Sequence, residues 1–159
     1  MPSMTDPMDS LRLLQQAIDE QIVGFQRCER FPDISVHFDK PNDVPRFTYA
    51  SLENGVAQSI ALFVLGEPVE GTPCFQMGWA TVETIRGKGL ATDVVSKSIE
   101  ELKDGMNRNG IDRFYLEAII SESNIESQRL AARIFTDAPE PCADSFSGEK
   151  ALQYLRLVG

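Results

Sequence analysis

The chain has 159 residues, 42% of them hydrophobic and 25% charged, a length and composition that suit one soluble domain with a proper core. A formal net charge of −9, with no cluster of Lys or Arg, argues against a nucleic-acid partner, because polyanion binders carry basic faces. An acidic surface favours cationic acceptors such as amines instead.

No apolar run approaches the length of a membrane helix, and the first residues lack a basic segment followed by an apolar stretch. The expectation is therefore no membrane span, no secretory signal and a cytoplasmic location. Cys28, Cys74 and Cys142 are widely separated and form no CxxC, which reads as free thiols in a reducing compartment. His37 is the sole histidine, so no Cys/His cluster exists and no metal site is expected.

Residues 1–9 are rich in Met, Pro, Ser and Asp and read as a flexible N-terminus ahead of a single domain at 10–159. Leu11, Leu14, Ile18, Ile22 and Phe25 recur every three to four residues. That spacing predicts an amphipathic helix, capped by Asp9 or Ser10 and ending near Arg30, before Phe31-Pro32. Residues 34–38 alternate and predict a short edge strand carrying His37 at the surface. Residues 46–51 and 58–65 predict a hairpin around a tight turn at 53–55. A longer connection follows, punctuated by Gly66, Pro68, Gly71 and Pro73.

Residues 74–85 predict a strand and 90–106 a helix. That helix keeps Val94, Val95, Ile99 and Leu102 on one side and Asp93, Lys97, Glu100 and Lys103 on the other, with Gly110 as a left-handed cap. A strand buried on both faces at 114–120, a helix at 124–135, a Pro-rich loop at 138–147 and a terminal strand at 151–157 complete the order. It predicts an α+β domain with a mixed, largely antiparallel central sheet flanked by helices.

The most informative stretch is Arg86-Gly87-Lys88-Gly89-Leu90-Ala91, set between an apolar strand and a helix start. Glycines let successive backbone N–H groups turn toward one point, and a helix N-terminus adds partial positive charge. The segment is a built-in anion site suited to a phosphate-bearing cofactor. It is not a P-loop, since Gly89 follows Lys88 and no Gly stands five residues before Gly87. A dinucleotide fingerprint fits loosely, with Gly87, Gly89 and Thr92, but lacks the early βαβ setting, so an oxidoreductase fragment is disfavoured.

Arg86-x-x-Gly89-x-Ala91 does match every fixed position of Arg/Gln-x-x-Gly-x-Gly/Ala, the pyrophosphate loop of the GNAT superfamily of N-acetyltransferases. Downstream, Asn124-x-x-Ser127 opening an apolar helix resembles the second cofactor element of that family, particularly in the branch that acetylates protein N-termini and related amines. The resemblance covers residues 76–135. It implies a GNAT-like fold in which the strands at 74–85 and 114–120 run parallel and splay apart around the cofactor arm. It also implies acetyl-CoA as co-substrate, held by Val82, Arg86, Gly87, Lys88, Gly89, Leu90, Ala91 and Thr92, with Asn124 and Ser127 beside the pantetheine. A homodimer through the terminal strands is common for that fold.

The implied chemistry is direct acetyl transfer to a primary amine of a small molecule or a protein. The amine must lose a proton, and Glu83 and Glu117 are the candidate bases. Glu117 lies among Phe114, Leu116, Ala118 and Ile119, where a carboxylate needs a partner (an Arg or Lys, were its role structural) or a wet cleft. The resemblance further implies that a backbone amide around Trp79 to Val82 polarises the thioester oxygen, as a main-chain N–H does in that family. Many family members carry a Tyr after the second cofactor helix as acid to the leaving thiolate; this chain has Phe135-Thr136-Asp137-Ala138 there. Tyr115 or Tyr154 could stand in, or the thiolate leaves unassisted. The departure keeps an alternative open, a GNAT-fold acyl-CoA-binding or protein-interaction module without efficient turnover.

Overall fold

In the computed structural model, which describes residues 7–144 and 147–159, one mixed sheet carries every strand of the described residues. Helix α1 (Pro7–Asp19) is followed by β1 (Gln26–Arg27), β2 (Ser35–Asp39), β3 (Arg46–Glu53), β4 (Val56–Leu65) and β5 (Cys74–Thr81). Helix α2 (Leu90–Arg108), β6 (Phe114–Ser121), α3 (Ile125–Ile134), β7 (Glu140–Ala143) and β8 (Lys150–Val158) complete the order. The strands lie β1-β2-β3-β4-β5-β6-β8-β7, antiparallel at every junction except β5/β6. This is the α+β architecture the sequence predicts.

Several boundaries differ from expectation, each for a local reason. Of the stretch read as a flexible N-terminus, residues 1–6 lie outside the described residues and the rest form the first turn of α1. That helix stops at Asp19, well before Arg30. Gln21 takes the left-handed conformation (φ 58°), and Ile22 N–H and Gln21 N–H close back on the carbonyls of Ala17 and Ile18. These bonds form a Schellman stop built on Gln instead of Gly, so the apolar stripe runs on past the point where the helix ends.

Strand β2 is not the edge, because the two-residue β1 pairs outside it. The stretch read as a Pro-rich loop contains β7, and Pro141 is tolerated because β7 is the sheet's outer strand; residues 145 and 146 of that stretch lie outside the described residues. The hairpin turn is as predicted: Asn54 and Gly55 both have positive φ, and Glu53 pairs with Val56. Helix α2 closes on Gly110 at φ 79°, with Ile111 N–H bonded to Met106 O and Gly110 N–H to Asn107 O.

Two apolar layers sandwich the sheet. Helix α1 covers β4 and β5 on one face, where Leu11 packs with Ala50, Ile60, Leu62 and Ala80. Helices α2 and α3 cover the other face, burying Val94, Val95, Ile99, Leu102, Leu130 and Ile134 against Phe63, Phe75, Phe114 and Leu116. Burying apolar side chains of this size contributes about 1.5–3 kcal/mol each, and that is what fixes the helices on the sheet.

The β5/β6 junction matters most for the site. The two strands pair only at Cys74↔Tyr115, Phe75↔Leu116 and Gln76↔Glu117. A T-shaped contact between Phe75 and Phe114, ring centroids 5.7 Å apart, packs the paired end. Beyond Gln76 and Glu117 the strands part, as the sequence resemblance implies.

Candidate active site

The parting strands leave one edge of β5 without a ladder partner. Tyr115 N–H donates to Pro73 O on the β6 side, whereas Gly66 N–H donates to Cys74 O, and Val82 N–H donates to Gln58 O at 2.9 Å, on the β4 side. Backbone groups alternate along a strand, so the N–H groups of Met77, Trp79 and Thr81 face the gap. The N–H of Val82 is engaged by β4 instead.

β5 ends at Thr81, earlier than the predicted strand, and Glu83–Ile85 form a single 3-10 turn. The glycine loop follows, with Gly87 at φ 80° and Gly89 at φ 78°. Gly89 is the N-cap of α2 and no side chain caps that helix. The first-turn amides, which have no intrahelical acceptor, therefore stay available. Arg86 braces the loop: its Nε donates to Thr81 O at 3.1 Å and its guanidinium lies 3.2 Å from Met8 Sδ on α1. Helix α3 begins differently, because Asn124 Oδ1 accepts Ser127 N–H at 3.1 Å and caps it.

These elements enclose an open cleft of about 520 Å³. Of the residues singled out from the sequence, Arg86, Gly87, Gly89, Leu90, Ala91 and Thr92 line it from the loop side, and Asn124 and Ser127 from α3. Val82, Lys88, Glu83 and Glu117 do not line it. The cleft also takes Trp79, Ala80 and Thr81 of β5, Met8 of α1, and Glu126, Arg129, Leu130 and Arg133 of α3. The sequence alone did not mark the two α3 arginines. They sit four residues apart on the side of α3 away from buried Leu130, Ala131 and Ile134, which in a sequence reads as a solvated face.

Glu83 sits exposed in the 3-10 turn, not at a strand end. Glu117 is 7% exposed and stands at the vertex where β5 and β6 separate. Its carboxylate accepts from Gln76 Nε2 at 3.1 Å and from Gln153 Nε2 at 2.7 Å, so its partners are two amides and not an Arg or Lys. Along β6, Phe114, Leu116, Ala118 and Ile120 turn into the core under α2 and α3, which puts Glu117 on the opposite face. Neither candidate tyrosine lines the cleft. Tyr154 is buried against Phe135 with ring centroids 5.5 Å apart, and burial raises its pKa. His37 belongs to β2 and lies 3.0 Å from Gly24 O, remote in the sheet order from β5 and β6.

No helix of the described residues is long and apolar enough to cross a membrane. No group of three or more His, Cys, Asp or Glu among them is arranged to hold a metal.

Comparison with solved structures identifies the architecture. A GNAT-family acetyltransferase from Streptococcus pneumoniae superimposes with a TM-score of 0.56 at 14% identity, covering 72% of this chain and 67% of that one. The chain has the GNAT fold. A ribosomal-protein-alanine N-acetyltransferase from Brucella melitensis matches at a TM-score of 0.52 and 15% identity, over 98% of this chain and 81% of its own. The RimL ribosomal L7/L12 alpha-N-protein acetyltransferase, solved with coenzyme A, matches at 0.51 and 19% identity, over 71% of this chain and 62% of its own. No protein-family model and no curated protein sequence matches. The likeness at these identities is therefore one of GNAT fold.

Proposed function

We propose that the protein is an acetyl-CoA-dependent N-acetyltransferase that passes an acetyl group directly to a primary amine of a small molecule or a protein. One observation carries this reading: a single cleft joins the uncapped glycine loop at the start of α2 to the unpaired edge of β5. Amides of the first kind suit a pyrophosphate, and a free strand edge suits the amide-bearing pantetheine arm. The chain offers three arginines and one glutamate to that cleft although its net charge is −9, a local bias toward an anionic ligand.

The residues divide the work by position. Gly87 and the stretch from Gly89 to Thr92 hold the diphosphate, and Asn124 and Ser127 border the arm. Trp79 N–H, aimed into the gap, donates to the thioester oxygen and holds it where negative charge develops. Glu117, at the vertex, takes the amine proton and is preferred to exposed Glu83; the amides of Gln76 and Gln153 keep its carboxylate oriented. The acetyl carbon forms its bond to the amine nitrogen as the carbon–sulfur bond breaks, and the thiolate leaves.

A second reading, an acyl-CoA binder without efficient turnover, is favoured by the absence of any Tyr, His or Cys from the described cleft lining. Incubation with acetyl-CoA and a panel of amines, including short peptides with free N-termini, separates the two by the release of free CoA thiol. Amine-dependent thiol release supports the transferase, whereas tight acetyl-CoA binding with no release supports the binder.

A further inference from the structure

The loop accounts for one phosphate-binding element of the cleft, but Arg129 and Arg133 lie outside it. Both line the same cleft from α3, one helical turn apart. Neither side chain makes an ion pair or hydrogen bond to a described residue, and, unlike the other unpaired basic side chains such as Arg27, Arg108 and Arg113, these two face the same cleft as the loop. Like charges at i and i+4 disfavour a helix by a few tenths of a kcal/mol, and α3 is a helix of 10 residues. An anion seated between the two guanidinium groups reverses that effect. Side chains at this spacing start about 5–6 Å apart, within reach of one tetrahedral oxyanion, and guanidinium groups bind phosphate bidentately. Glu126, in the first turn of α3, also lines the cleft and opposes an anion there, so the site lies toward the C-terminal half of the helix.

We infer that Arg129 and Arg133 form a second anion subsite, which takes a phosphomonoester carried by the same ligand whose diphosphate lies on the loop. The inference rests on the acetyl-CoA reading above, since that molecule carries a 3′-phosphomonoester apart from its diphosphate. The subsite makes the protein discriminate against cofactors that lack that group.

Calorimetric titration with acetyl-CoA and with acetyl-dephospho-CoA tests this on the wild-type chain and on the Arg129→Gln/Arg133→Gln double variant. The wild type is expected to bind acetyl-CoA at least about tenfold more tightly than the dephospho form, the scale of a lost charge-assisted contact. In the double variant that preference disappears: acetyl-CoA weakens to the level of the dephospho form, whose own affinity moves less than about twofold. Equal affinity of the wild type for both ligands overturns the subsite and leaves the acetyl-CoA reading intact. A variant that weakens both ligands in proportion also overturns it, because the arginines then serve the diphosphate or the helix itself. Failure of the wild type to bind either ligand overturns both this inference and the reading beneath it.

Discussion

Gln76 and Glu117 are the last paired residues of the only parallel junction in the described sheet, and Gln76 Nε2 donates to Glu117 Oε1 at 3.1 Å. The residue that ends the pairing is thus also the one that orients the buried carboxylate. Gln153 Nε2 completes the grip from β8 at 2.7 Å. Fold and proposed chemistry meet at this pair, because the strands separate at the point where the carboxylate is held.

Glu117→Gln is accordingly expected to lower turnover by about 100-fold or more while leaving acetyl-CoA affinity unchanged. Glu83→Ala should stay within about threefold of wild type, since an exposed residue of the 3-10 turn supplies no such base. Steady-state kinetics and calorimetry on both variants check this, and turnover retained by Glu117→Gln removes the assignment. Glu117→Ala adds a stability cost of about 1 kcal/mol, because two partly buried amides lose their acceptor.

Asn124 serves α3 as its cap whatever else it touches. Asn124→Ala should therefore cost about 0.5–2 kcal/mol in stability, and Asn124→Ser much less. The difference appears as a fall in melting temperature of about 2–4 °C per kcal/mol, which the Ser variant largely restores. Acetyl-CoA affinity that follows stability through this series assigns Asn124 to capping alone, and affinity lost in both variants assigns it to the cleft as well.

How much of this was legible depended on whether a feature was local. The glycine loop could be read because Gly87 and Gly89 follow an apolar strand and precede a helix, and both are needed at positive φ. The Asn54-Gly55 turn could be read for the same reason. The end of α1 could not, because Gln21 takes the position that usually signals itself with Gly, while Ile22 and Phe25 keep the apolar spacing going. Phe25 does pack near α1, in the same apolar cluster, but from the segment between α1 and β1. Strand β7 was hidden by Pro141, which a sheet edge accepts and a central strand would not. The arginines of α3 lay beyond sequence reading altogether, since only the fold brings that helix face to the loop. Glu101 was likewise not marked: this buried acid of α2 accepts Phe31 N–H at 2.8 Å, a contact 70 residues apart.

Lys97 gives a pH prediction. It pairs with Asp33, and with Asp93 at 3.0 Å, and its ammonium lies 5.8 Å from the Phe31 ring centroid. The hydrogen bond from Lys97 holds Asp33 below its ordinary value of 3.8, and the bonds to Asp33 and Asp93 hold Lys97 above 10.5. A depressed carboxyl stabilises the fold above its unfolded pKa, and that contribution fades as pH falls through the folded value. A raised ammonium stabilises it below its unfolded pKa, and the contribution fades as pH rises through the folded value. Lys97→Met should thus be less stable than wild type between these limits, by under about 1 kcal/mol because the pair is solvent-facing. The charge-dependent gap closes at both extremes, as urea melts across pH will show; a gap independent of pH assigns the effect to packing on Phe31.

The cysteines give a chemical prediction. Burial pushes the Cys28 thiol up to about 12, aided by the charges of Glu101 and Asp33, and the Cys74 thiol up to about 11, aided by Glu117. Both are buried, whereas Cys142 is partly exposed. Burial, with the charges of Asp144 and Glu117, raises the Cys142 thiol as well, so its exposure is what sets it apart: an aromatic disulfide reagent should modify Cys142 first and the other two only after denaturation. Cys142→Ser should abolish the fast phase, and a fast phase that survives it would show that a buried thiol is accessible. The same substitution clears the background from thiol-release assays of turnover.

The most direct test of the account is calorimetric titration of acetyl-CoA into the wild type and into Gly89→Glu. Gly89 has φ 78° at the uncapped start of α2, so the variant sets a carboxylate and a strained backbone where the diphosphate is to lie. Circular dichroism and a melt first establish that the variant is folded. The account predicts micromolar binding by the wild type that the folded variant loses. Binding by the folded variant at wild-type affinity, or no binding by the wild type at millimolar acetyl-CoA, would contradict it.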